Sequence, residues 1–256
     1  MKWLDRKRVL HTMRRHPIPL APWLRLMRDA DVFRGLTSVE RARLRTLGTL
    51  FLHRKAISGA QGLAVTTDMR LAVAAQACLL ILKLDLGYYD DWIEVILYPG
   101  PFKVDRDEFE DGVVSEAGGH LDGESWQRGP VVLAWETIAS ELAGHPSGHN
   151  VAVHEFAHKL DSLDGSANGI PPLHAGMVRE HWTHAFTAAF AELRSQLDHH
   201  RPHAIDAYAA TAPEEFFAVC SEVFFGAPAT LRHAFPAVYE QLVKFYRQDP
   251  AIRRDG

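Results

Sequence analysis

The segment Val151-Ala-Val-His-Glu-Phe-Ala-His158 constrains this chain more than any other. Its histidines are four positions apart, and on a helix residues so spaced stand on one face, one turn above the other. Asn150, just ahead, is of the residue types that cap a helix N-terminus. The apolar flanks Val151, Val153 and Phe156 give such a helix a side to bury, so the fold must cover that side and leave His154 and His158 facing a common space. Two neutral imidazoles converging on one ion suit Zn²⁺, which accepts tetrahedral nitrogen and oxygen ligands. Glu155 is rotated by about 100° from His154, so it flanks such an ion instead of binding it. There it can take a proton from a water that the metal acidifies. The pattern therefore points to metal-assisted hydrolysis, with His154 and His158 as ligands and Glu155 as general base.

Around this segment the chain reads as helices, a few strands, then helices again. Thr37 with Glu40 three residues later is a capping-box signature, and the run to Arg54 has helical spacing. Thr67 or Asp68 can cap a further helix, from about Met69 to Leu84. Trp92 to Tyr98 alternates and is rich in aromatic and β-branched residues, as is Pro130 to Trp135, and both predict strands. The second could pair with an extended peptide as the rim of a site, or run through the centre of a sheet. The polar stretch 105–129 between them reads as loops around short strands. Helices are expected from Asn150 to about Leu160, Leu173 to Leu197, Pro213 to Phe225 and Pro236 to Arg247. Pro213 sits where a first-turn proline is tolerated, with Glu214 and Glu215 at the helix's positive end. The order is that of an α+β domain, not the strict alternation of a doubly wound sheet.

Composition removes several function classes. A net charge of −4 gives no global reason to bind nucleic acid or an anionic membrane, and the basic residues Arg6, Lys7, Arg8, Arg14 and Arg15 fit a solvated helix face. The longest apolar run, Leu71 to Leu82, contains Gln76 and is too short to span a bilayer, so it predicts a buried helix. Cys78 and Cys220 lie in apolar stretches and read as buried free thiols, which suits a reducing compartment. No secretory signal is visible, because Pro22 and Arg25 interrupt the apolar stretch Ile18 to Met27, and the expected location is cytoplasmic.

A third ligand is needed. A metzincin would carry glycine at 161 and histidine at 164, where this chain has Asp161 and Asp164. A glutamate on the next helix would be Glu180, but it has no apolar anchor beside it. Glu214 and Glu215 open a helix whose following residues are strongly apolar. Being adjacent, they cannot both face the ion. The histidines at 174, 181 and 184 read as solvated helix residues. A purely structural zinc site would fill its fourth position with Cys or His, and none is evident.

The segments HEFAHKLD (154–161), DAYAATAPEEFFAVCSE (206–222) followed by Val223-Phe-Phe, and KFYRQDP (244–250) resemble the Mlc titration factor A family. These are bacterial cytosolic zinc peptidases similar in active-site pattern to anthrax lethal factor. QAC at 76–78, YPGPF at 98–102 and GESWQRGPVVLAW at 123–135 extend the resemblance over most of the chain beyond about residue 35. The resemblance implies a zincin-like fold, mostly helical with a small sheet. It fits one domain over 1–256, with a helical portion over about 1–84 and a catalytic core over about 85–250. It also implies one Zn²⁺ per chain, Glu215 as third ligand and Tyr208 as the hydroxyl that stabilises an oxyanion. The activity implied is gluzincin-type hydrolysis of peptide or protein substrates, aminopeptidase-like action included. A regulatory role through binding an Mlc-type transcriptional repressor comes with it, and the alternative is a binding protein that sequesters such a repressor. One departure stands out. The lethal-factor pattern has a second acid four residues after the ligand glutamate, where this chain has Val219. Orienting a ligand imidazole would then fall to Glu222 or to Asp161.

Overall fold

The computed structural model describes residues 3–101, 129–144 and 148–255. Helices α1 (Trp3–Arg15), α2 (Leu20–Asp29) and α3 (Ser38–Arg54) lead into strand β1 (Ala56–Gly59) and helix α4 (Thr67–Leu80). Strands β2 (Glu94–Tyr98) and β3 (Val131–Ala134) follow, with α5 (Trp135–Leu142) directly after β3. The remainder is helical: α6 (Val151–Asp161), α7 (Arg179–Asp198), α8 (Pro213–Gly226), α9 (Pro228–Ala234), α10 (Pro236–Tyr246) and α11 (Pro250–Asp255). The molecule is thus mostly helical with a small sheet, an α+β arrangement. The stretch 105–129 lies outside the described residues apart from Gly129.

The three strands are parallel in the order β1-β2-β3, with Ile57 beside Val95 and Leu97 beside Leu133. Parallel neighbours need a crossover, and α4 supplies the one between β1 and β2. Ile57, Val95, Leu97, Val131 and Leu133 are all buried. Among the described residues β3 pairs with β2 alone. Leu71 to Leu82 is buried throughout, including Gln76, as expected of a core helix. No helix among the described residues is long and apolar enough to cross a membrane. Cys78 and Cys220 are free and buried.

Several expected boundaries move for identifiable reasons. The capping box at Thr37 forms, with Glu40 N–H donating to Thr37 Oγ1 at 3.2 Å and Thr37 N–H to Glu40 Oε2 at 3.0 Å. Helix α4 is capped by Thr66, not Thr67 or Asp68, and ends at Leu80, after which Ile81 to Leu84 follow tight turns. Helix α7 starts at Arg179 and not at Leu173, because Gly176 takes φ +98° and the chain turns there. That correction changes His174. It lies off the helix, with Nδ1 3.3 Å from the Tyr88 hydroxyl and Nε2 2.7 Å from the Phe245 carbonyl, whereas His181 and His184 are exposed as expected. Strand β1 had no signal of its own, being four residues directly behind α3.

Two aromatic groups hold the helices in place. Phe51, Tyr89, Trp92 and Phe156 meet with ring centroids 5.5 to 6.2 Å apart, joining α3 and the segment before β2 to the buried side of α6. Trp182, Phe186, Phe216, Phe217 and Phe245 join α7 and α10 to α8. Helices α6 and α8 are therefore each pressed from behind, and their remaining faces meet.

Candidate metal centre

Helix α6 begins where two side chains occupy its first N–H groups. Asn150 Oδ1 accepts from Val153 N–H at 2.8 Å, the cap expected of it. Glu141, from α5, accepts from Val151 N–H with both oxygens at 3.0 and 3.1 Å. The Asn150 amide donates to Gln76 Oε1 at 2.7 Å, so the start of the helix is tied to the core helix α4. Ala152, Val153, Phe156, Ala157 and Leu160 are wholly buried, which turns His154 and His158 to the opposite side.

There the two imidazole Nε2 atoms stand 3.1 Å apart. Helix α8 meets them with its first turn, and Glu215 Oε2 lies 3.1 Å from His154 Nε2 and 3.4 Å from His158 Nε2. That oxygen is buried and aligned with neither nitrogen for a hydrogen bond. A loop closes the far side: Asp161 Oδ2 accepts from Gly169 N–H at 2.7 Å, and Trp182 Nε1 donates to the Gly169 carbonyl at 3.0 Å. Gly169 has φ +77°, and a Cβ there would sit 2.5 Å from the Pro213 carbonyl, so only glycine lets this loop abut the start of α8.

Two nitrogens and one oxygen, all within 4.8 Å of one another, thus point into one small volume. Lone pairs so directed repel unless protons or a cation lie between them, and two imidazoles with a carboxylate form a set that a dication such as zinc takes. Electrostatics agrees. Burial opposes charge on His154, but the carboxylates of Glu215 and Glu222 at its two nitrogens prevail and raise its pKa to about 10. Burial likewise works against the Glu215 charge, and the two imidazoles outweigh it, holding that carboxyl at about 2. Both describe a site that attracts positive charge. Glu180 is exposed in the first turn of α7, outside this cluster.

The flanking residues are nearby. Burial pushes the Glu155 carboxyl up, against the pull of His154 and His158. Such a shift brings a carboxylate closer to the range useful for proton transfer. Tyr208 stands on a 3₁₀ turn, Ala207–Ala210, with its ring centroid 6.1 Å from that of His154. Burial and the Glu215 and Glu155 carboxylates push its hydroxyl up. Of the two acids left open for orienting a ligand imidazole, the structure brings Glu222 to His154: its Oε1 is 2.6 Å from His154 Nδ1, and its Oε2 accepts from Asn150 N–H at 2.7 Å. Seven residues along α8 return it to the face of Glu215. Asp161 is instead spent on the Gly169 loop, its Oδ1 has no hydrogen-bond partner, and burial raises its pKa to about 6.

Sequence reasoning missed Gln76 and Glu141. Gln76 carried a signal, as the one polar residue inside the buried run 71–82. Glu141 carried none, because its role depends on where α5 ends relative to α6.

A family model described as glucose-regulated metallo-peptidase M90 matches residues 1–247 of the chain. Mlc titration factor A of Klebsiella pneumoniae is 40% identical over 238 residues, 91% of this chain and 88% of that protein. Mlc titration factor A of Salmonella arizonae is 42% identical over 224 residues, 86% of this chain and 88% of that protein. A Synechocystis protein, the uncharacterized slr2042, is 40% identical over 238 residues, 91% of this chain and 86% of its own length.

Proposed function

The chain belongs to the glucose-regulated metallo-peptidase M90 family, and on that premise we propose that it is a zinc-dependent peptidase. His154, His158 and Glu215 hold one zinc ion in a zincin-like domain that takes in residues 1–256. Glu155 is the general base, and Tyr208 donates to the oxyanion. The observation that carries this reading is the convergence of the two Nε2 atoms and Glu215 Oε2 at 3.1 to 3.4 Å, with no hydrogen bond satisfying the buried oxygen.

When bound, the ion supplies Lewis acidity toward a water molecule and a peptide carbonyl. The rest falls to the chain. Glu155 takes the proton of the attacking water and returns it to the leaving amine, a task that its raised pKa favours. The Tyr208 hydroxyl, protonated at neutral pH and half-exposed beside the cluster, donates to the oxygen that gains charge. Glu222 keeps the His154 ring in one tautomer, with Nδ1–H toward the carboxylate and Nε2 toward the ion. A substrate peptide, aminopeptidase-type substrates among them, would bind across the mouth of this site, and the expected location is cytoplasmic.

The relatives' name, Mlc titration factor A, supports a second role. In it the chain binds a repressor of the Mlc type, with hydrolysis either accompanying or secondary to sequestration. Glu155→Gln separates the two. It removes the base and keeps the ligands, so zinc content should stay near one per chain while peptide hydrolysis falls about a hundredfold or more. Capture of the repressor should be unchanged. The peptidase reading fails if zinc-loaded wild type, tested with and without the repressor on a panel of aminoacyl and peptide substrates, cleaves nothing faster than Glu155→Gln.

A further inference from the structure

We infer that His149 is a positioning residue for Tyr208, tying the turn that carries Tyr208 to the carboxylate behind His154. The inference rests on the peptidase reading for its kinetic consequence and on geometry alone for its structural one. Asp206 connects the two sides. Its Oδ1 accepts from Tyr208 N–H at 2.7 Å and so sets the start of the 3₁₀ turn. Its Oδ2 lies 3.3 Å from His149 Nε2. The other nitrogen of the same ring, Nδ1, lies 4.0 Å from Glu222 Oε2, the carboxylate whose other oxygen meets His154 Nδ1 at 2.6 Å. A continuous line of charged and polar groups thus runs from His154 through Glu222, His149 and Asp206 to the backbone of Tyr208.

Tyr208 is 52% exposed, and the packing of its segment rests on Ile205 and Ala209, both buried. The His149–Asp206 pair borders a cavity of about 180 Å³, lined also by Val219, Glu222, Val223 and Thr230. A contact as exposed as this one adds little to global stability. Its effect belongs to placement, where a displacement of about 1 Å in a catalytic group costs up to about a hundredfold in rate.

The test uses His149→Phe, which keeps a ring without a nitrogen, and His149→Gln, whose amide N–H can reach Asp206. In His149→Phe, kcat should fall about tenfold with KM and zinc content unchanged, and amide exchange of residues 207–211 should quicken. His149→Gln should recover most of both. In a Tyr208→Phe background, His149→Phe should cost nothing further, because the residue it positions has lost its hydroxyl. The inference is overturned if His149→Phe lowers kcat equally in both backgrounds, if the loss appears as zinc or KM, or if Gln behaves as Phe does. Were the wild type to cleave no peptide, the peptidase reading would fail and exchange would decide the inference alone. Unchanged protection of residues 207–211 in His149→Phe would then overturn it.

Discussion

At the scale of single residues, the orientation of His154 matters more than its presence. An imidazole offers either nitrogen to a metal, and the partner of the other nitrogen decides which. Here that partner is Glu222, buried and held in turn by Asn150 N–H. Val219 cannot play this part, and the task has moved one turn further along α8, to the next position on the same face. We expect Glu222→Gln to keep the fold, since its amide oxygen can still accept from Asn150, and to weaken zinc binding about tenfold to a hundredfold. Competition against a chromogenic chelator measures this. An unchanged affinity would mean that packing of α6 alone orients the ring.

At the scale of elements, the entry to α6 is governed by a carboxyl from outside the helix. Burial raises the Glu141 pKa to about 7, the Val151 N–H opposes that rise, and the Glu222 charge adds to it. The folded chain therefore holds a proton on Glu141 between about 4.5 and 7 that the unfolded chain has released. The stabilisation is fully present below about pH 4.5 and is lost as pH rises to about 7. In chelator, wild type should lose urea stability over this window more steeply than Glu141→Gln, which keeps an acceptor for Val151 N–H and cannot titrate. Equal slopes for the two proteins would remove Glu141 from the account.

At the scale of the molecule, the site is a meeting of two helices backed by separate aromatic groups. Phe156 is one residue from Glu155 and faces the other way, wholly buried against Phe51, Tyr89 and Trp92. Phe156→Ala should destabilise the fold by about 3–5 kcal/mol, as expected for truncating a buried aromatic with partial collapse of the cavity. Thermal and urea unfolding would show it. A loss under about 1 kcal/mol would mean that α6 is held chiefly from its polar side, through Asn150 and Lys159, whose Nζ donates to the Gly129 carbonyl at 2.9 Å.

What could be read from the sequence was local. The helical spacing of His154 and His158, the flank position of Glu155, the caps at Thr37 and Asn150, and the start of α8 at Pro213 follow from rules that act within a few residues. Neighbours along the chain suffice to satisfy them. The residues alone left Glu180, Glu214 and Glu215 open, and the family resemblance singled out Glu215. Only the packing of α8 on α6 brings its oxygen to 3.1 Å from His154. The choice of Glu222 over Asp161, the parallel order of the strands, the burial of Gln76 against Asn150 and the place of His174 also waited for the fold. Each depends on segments tens of residues apart in the chain or on a turn such as that at Gly176, and distance in the chain says nothing about distance in space until the core has closed.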